Sequence, residues 1–134
     1  LTVVILVLLS LISILFIGAR AWKKGSDRAA SILQIRNVQQ AVRSFSNMNG
    51  FNPGDGGTQI TAKGFTSLED ELFGSGKFME NDPTDVAATH PAGTGYTYAA
   101  TTAGTIPLIG TLYLEVTGTD AADYMPAPGS YNDW

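Results

Sequence analysis

The chain has no cysteine, a single histidine and no proline before Pro53. The missing cysteines exclude disulfides, thiol catalysis and Cys-ligated metals. With His90 alone and no acid close to it in sequence, neither the usual zinc ligand set nor a Ser-His-Asp constellation can be assembled, and His90 reads as a loop residue. Charge is scarce and unevenly placed. Leu1 to Ala19 carries none; residues 1–50 hold six basic side chains against one acid, whereas residues 51–134 hold two against eleven. A C-terminal part so acidic is unsuited to phosphate backbones, so nucleic acid is not expected as a main partner, and cationic surfaces fit better.

What is present starts with LTVVILVLLSLISILFIGA, in which fourteen residues are Leu, Ile, Val or Phe. As a helix this run is about 28 Å long, close to the hydrocarbon thickness of a bilayer. At roughly −0.3 to −0.6 kcal/mol per such residue, insertion is favoured by several kcal/mol. The hydroxyls of Thr2, Ser10 and Ser13 can bond back to helix carbonyls. The basic leader and cleavable small-residue tail of a secretory signal peptide are both missing, so the segment is expected to stay in the mature protein. Arg20, Trp22, Lys23 and Lys24 then supply an interfacial anchor of one aromatic and three cations.

Beyond the anchor, Ile32, Ile35, Val38, Val42, Phe45 and Met48 recur every three or four residues, which predicts an amphipathic helix running on from the apolar run. Gly18 and Gly25 are the places where it could bend. Asn49 and Gly50 provide a left-handed stop. The expected layout is therefore a helix over 1–50, divided into a membrane or filament-core segment (1–19) and an amphipathic stem (20–50), followed by a small head over 51–134.

From Asn52 to Gly95 the chain is rich in turn formers. The Gly54, Gly56, Gly57 cluster lacks the Lys and Ser or Thr of a phosphate loop and reads as a turn. One short helix is predicted where Ser67 caps Leu68, Glu69, Asp70, Glu71, Leu72 and Phe73. Glu69 and Glu71, two apart, point to different sides and cannot form a hydrolytic pair. Near the end, Tyr96 and Tyr98 flank Thr97, and Leu112, Leu114 and Val116 alternate with Tyr113, Glu115 and Thr117, predicting two or three antiparallel strands. Their apolar face is expected to cover the Ile32 to Met48 stripe. Residues 120–134 hold Tyr124, Met125, Tyr131 and Trp134, too much aromatic mass for a disordered tail. Asp120, Asp123 and Asp133 are calcium candidates by residue type, without a spaced calcium-loop pattern. No catalytic residue, cofactor or other metal site is indicated, and the thirteen aromatics are expected to pack in core and interface.

The apolar helix leading into the stem RAASILQIRNVQQAVRSF, Arg28 to Phe45, and the closing sheet within Gly93 to Val116 resemble the type IV pilins and type II secretion pseudopilins. The resemblance implies an α+β, pilin-like fold: a long N-terminal helix packed on a small antiparallel sheet with a loop-rich head. It also implies a structural role without enzymatic activity, in a pilus-like filament or pseudopilus. Partners would be copies of the chain, the inner membrane before assembly, and a prepilin peptidase with its assembly machinery. The subunit would end in a cell-surface extracellular filament or a periplasmic pseudopilus. A chain starting LTVVIL looks like the product of that peptidase. One departure stands out: where the family usually carries a glutamate, this chain has Ile5. A neighbour's terminal amine would then meet Thr2, Ser10 or Ser13 hydroxyls, backbone carbonyls or water. Lack of that glutamate is shared with pseudopilus tip subunits, so a minor or tip pseudopilin is one alternative, and a membrane-anchored binding head that never polymerises is another.

In such a filament Leu1, Thr2, Ile5, Leu8, Leu9, Ile12, Leu15 and Phe16 would form the core. Ile32, Ile35, Val38, Val42, Phe45 and Met48 would hold the head. Arg28, Arg36 and Arg43 of one copy would face Glu69, Glu71, Asp82 or Asp85 of another.

Overall fold

The computed structural model describes residues 1–85, 95–99, 104–118 and 120–134. One helix, α1 (Thr2–Asn49), runs unbroken through Gly18 and Gly25. Its stop follows from backbone chemistry: Gly50 adopts φ 72°, ψ 27° and its N–H reaches the Ser46 carbonyl, a left-handed cap that glycine enters without a Cβ penalty. Two short helices follow, α2 (Gly57–Ala62) and α3 (Leu68–Leu72). A two-stranded antiparallel sheet pairs β1 (Gly95–Tyr98) with β2 (Leu114–Thr117), Tyr96 opposite Val116 and Tyr98 opposite Leu114. A 3-10 turn over Ala121–Tyr124 leads into the C-terminal segment. The layout is α+β, a long apolar N-terminal helix with a small sheet at its far half.

The core lies between the stem and the head. Ile35, Val38, Val42 and Phe45 of α1 pack with Ile60, Leu68, Leu72, Ile106, Leu112, Tyr113, Leu114 and Val116. Phe45 stacks on Phe51 with centroids 5.4 Å apart and meets the edge of Phe65 at 5.3 Å.

Several expectations need correction. Met48 is 76% exposed rather than packed on the head, and Ile32 is only half-buried. The cause is helix geometry: each step of three residues turns the side chain back by about 60°, so two such steps, from Val42 through the still buried Phe45, carry Met48 off the buried face. The glycine cluster, read as a turn, opens α2, with the N–H of Gly56 donating to the Gln59 side-chain oxygen at 3.0 Å. Weak helix formers hid this element, which burial of Ile60 holds in place. Tyr113, placed by alternation on the outer face with Glu115, is fully buried. It lies one residue before β2, where α3 covers that side. Asp120, Asp123 and Asp133 do not converge, and among the described residues no three His, Cys, Asp or Glu side chains form a cation-sized group. His90 lies outside the described residues.

Candidate assembly surface

Every side chain from Leu1 to Ser26 is exposed, including all fourteen large apolar residues of the leading run. Among the described residues, nothing folds back to cover Leu1, Thr2, Ile5, Leu8, Leu9, Ile12, Leu15 or Phe16. Within this run Ser10 Oγ donates to the Leu6 carbonyl and Ser13 Oγ to the Leu9 carbonyl, each at 2.9 Å, which satisfies the hydroxyl protons inside the helix. The helix is long and apolar enough, by length and composition, to cross a membrane. An apolar rod all round is stable only in lipid or against other apolar surfaces. Trp22, at 78% exposure, and Leu33, at 58%, extend uncovered apolar surface up the stem.

The head, by contrast, is fastened firmly to the stem. Three polar residues sit on the buried face of α1, and each bonds to head main chain. Ser31 Oγ donates to the Tyr124 carbonyl, Ser46 Oγ to the Phe51 carbonyl, and Gln39 Nε2 to the Thr111 carbonyl, all at 2.9 Å. The Gln39 oxygen accepts the Tyr113 N–H, also at 2.9 Å. Arg43 adds a fork to the same seam, its guanidinium donating to the carbonyls of Pro107, Leu108 and Trp134. Desolvation lowers the pKa of this guanidinium, yet arginine keeps its charge at any ordinary pH.

The positions of the expected electrostatic residues separate into two groups. Arg43 is spent inside its own chain. So is Glu69, which accepts the Tyr113 phenol at 2.7 Å and the Gly104 N–H at 2.6 Å. Asp82 accepts from Thr84 and from the Tyr98 phenol at 2.6 Å, and Glu71 pairs with Lys77 at 3.4 Å. Arg28 and Arg36 are exposed, with no acidic partner within 4.0 Å among the described residues. Arg36 also stacks over the Trp134 ring at 5.6 Å. Asp85 is exposed. Lys24, expected as part of the interfacial anchor, is bonded to Asp123 at 3.2 Å.

The sequence reading missed Ser31, Gln39 and Ser46. A signal was available: at 100° per residue they lie in phase with Ile35, Val38 and Val42, which marks them as polar members of a buried face needing partners. Arg43 left no such trace, since its acceptors are main-chain carbonyls, which every residue carries.

No protein-family model, no curated protein and no solved structure matches this chain.

Proposed function

We propose that this protein is a structural subunit of a pilus-like or pseudopilus filament, anchored in a membrane by Leu1 to Ala19 before assembly and polymerising through that segment afterwards. A single observation carries the reading: a fully exposed apolar rod is rigidly continuous with a stem whose far half is locked into a folded head. A mere tether needs no such rigidity, and a flexible linker would serve it. A filament does, because head position is then fixed by helix position. Lipid is already apolar, so helices leave it only for close packing and polar complementarity. The Ser10 and Ser13 oxygens, whose protons are used within the helix, remain acceptors for a polar group of a neighbouring copy.

The same rod favours one competing reading, a single head held in a bilayer, because its length matches the hydrocarbon core. Purified full-length protein separates the two. On slow detergent removal, electron microscopy should show fibres of uniform width. Protein that enters added lipid vesicles as monomers at every concentration, with no fibres, would overturn the filament reading.

A further inference from the structure

From the charge placement we infer that the outer face of the stem around Arg28 and Arg36 is the docking surface for the acidic α3 region of a second copy, set lower along the assembly. This rests on the filament reading above. Arg28, Ile32 and Arg36 are spaced by four, so they form one ridge along α1. They line a groove of about 520 Å³ whose other side is formed by Pro126, Ala127, Ser130, Asp133 and Trp134. Both arginine side chains are exposed, and although Asp133 lines the same groove, neither guanidinium has a carboxylate within 4.0 Å among the described residues.

The occupant follows from charge complementarity. Residues 69–85 carry six acids and one lysine. Three of those acids are engaged internally, Glu69, Glu71 and Asp82. Asp70 and Glu80 are exposed and make no ion pair among the described residues. They flank a loop that is closed by the N–H of Met79 donating to the Leu72 carbonyl and the N–H of Gly74 to the Met79 carbonyl, each at 2.9 Å. Within one chain the two charged surfaces cannot meet. Glu71 and Lys77 line a groove with Phe45, Met48 and Asn49, so the acids sit beside the top of α1, about fifteen residues beyond the Arg28–Arg36 ridge. At 1.5 Å per residue that is roughly 22 Å of axial separation. Two copies with parallel helices bring the surfaces together only when one is raised by about that distance. The contact is heterologous, acid of one copy to arginine of the next, and so propagates instead of closing as a two-fold dimer.

The test uses the full-length chain and the fibre assay above, in 50 mM and 500 mM salt. Arg28→Glu with Arg36→Glu should lower pelletable fibre yield at least fivefold at low salt, as should Asp70→Arg with Glu80→Arg. The chain carrying all four changes, whose surfaces are complementary again, should return to wild-type yield, and high salt should lower the wild-type yield. Helical reconstruction should show contacting neighbours offset by about 22 Å. Because Arg36 stacks on Trp134, the pair Arg28→Glu and Glu80→Arg serves as a second cycle that leaves that ring contact alone, with head melting followed throughout. Reversals without effect, a four-fold variant that stays defective, or Arg28 and Arg36 needed only for binding anionic vesicles, would each overturn the docking assignment while wild-type fibres persist. Absence of fibres from the wild type overturns the underlying reading instead.

Discussion

The side-chain amide of Gln39 and the main chain at Tyr113 are bonded as two strands would be: the Tyr113 N–H donates to the Gln39 oxygen, and the Gln39 amide donates to the Thr111 carbonyl two residues earlier, each at 2.9 Å. The residue before β2 would otherwise present bare main chain to a helix. A side chain from α1 supplies the missing ladder. Replacing Gln39 with Leu keeps the size but strands a buried donor, at a cost of about 1–3 kcal/mol, and a partly buried acceptor, which costs less because water can reach it. The head of Gln39→Leu should be less stable by roughly 2–4 kcal/mol, read as a lowered midpoint in thermal or denaturant unfolding followed by near-UV circular dichroism. An unchanged midpoint would show that this bridge contributes nothing net.

Arg43 binds the C-terminal segment and the loop after Ile106 to the stem through three carbonyls. Gly110 lies in that loop at φ 86°, where a Cβ would come within 3.1 Å of the Asn132 carbonyl, so loop and C-terminal segment are seated together. Lysine has the charge but not the planar fork. Arg43→Lys should lose at least one bond, and Arg43→Met all of them, with stability losses of about 1–2 and 2–4 kcal/mol. Arg43→Glu should fail to fold, placing a carboxylate among carbonyls. Loss of fibres in that variant would therefore report a broken head and not a broken subunit contact. Comparable melting of Arg43→Met and wild type would contradict this.

Two phenols, Tyr113 buried and Tyr98 half-buried, set an alkaline limit. Desolvation first, and then the adjacent carboxylates, Glu69 for Tyr113 and Asp82 for Tyr98, raise both pKa values far above the ordinary 10.0. Below pH 10 both are neutral folded or unfolded, so their contribution is constant. Above pH 10 the unfolded chain releases these protons and the folded chain retains them, so stability falls as pH rises, by up to about 1.4 kcal/mol per pH unit for each tyrosine. Unfolding midpoints should be level from pH 7 to 9 and drop beyond 10, and Tyr113→Phe should shallow the drop. A midpoint that does not fall between pH 10 and 11.5 would remove this account.

Much of the backbone was readable from local chemistry. The long helix followed from apolar residues without proline, its end from Asn49 and Gly50, and α3 from Ser67, whose hydroxyl accepts the Asp70 N–H at 3.1 Å. The sheet pairing followed from alternation at Leu114 and Val116, both buried. What escaped detection depends on tertiary partners. α2 is six residues of Gly, Thr, Gln, Ile and Ala, whose helicity comes from burying Ile60 and not from propensity. Which charges are spent internally was illegible for the same reason. Glu69 and Glu71 look equivalent in sequence, yet one is turned inward to Tyr113 and the other lies beside Lys77. Only after that sorting do Arg28 and Arg36 on the stem, and Asp70 and Glu80 in the acidic segment, stand out as exposed charges in no ion pair among the described residues.

Leu8 and Ile12 are four apart on the exposed rod, and truncating them separates lipid from protein as its surroundings. In a bilayer, acyl chains flow into the space left by a removed side chain, so Leu8→Ala with Ile12→Ala should cost little, and the run still carries twelve large apolar residues. Between packed helices no such filling occurs. Each truncation then leaves a cavity, at a cost of about 2–5 kcal/mol where the site cannot collapse. The double variant should partition into vesicles like the wild type and melt its head at the same temperature, since both residues are exposed and lie outside the core. Its fibre yield should fall by an order of magnitude or more. Equal yield from the two proteins would mean that the rod is not packed against its own kind, whatever holds the copies together.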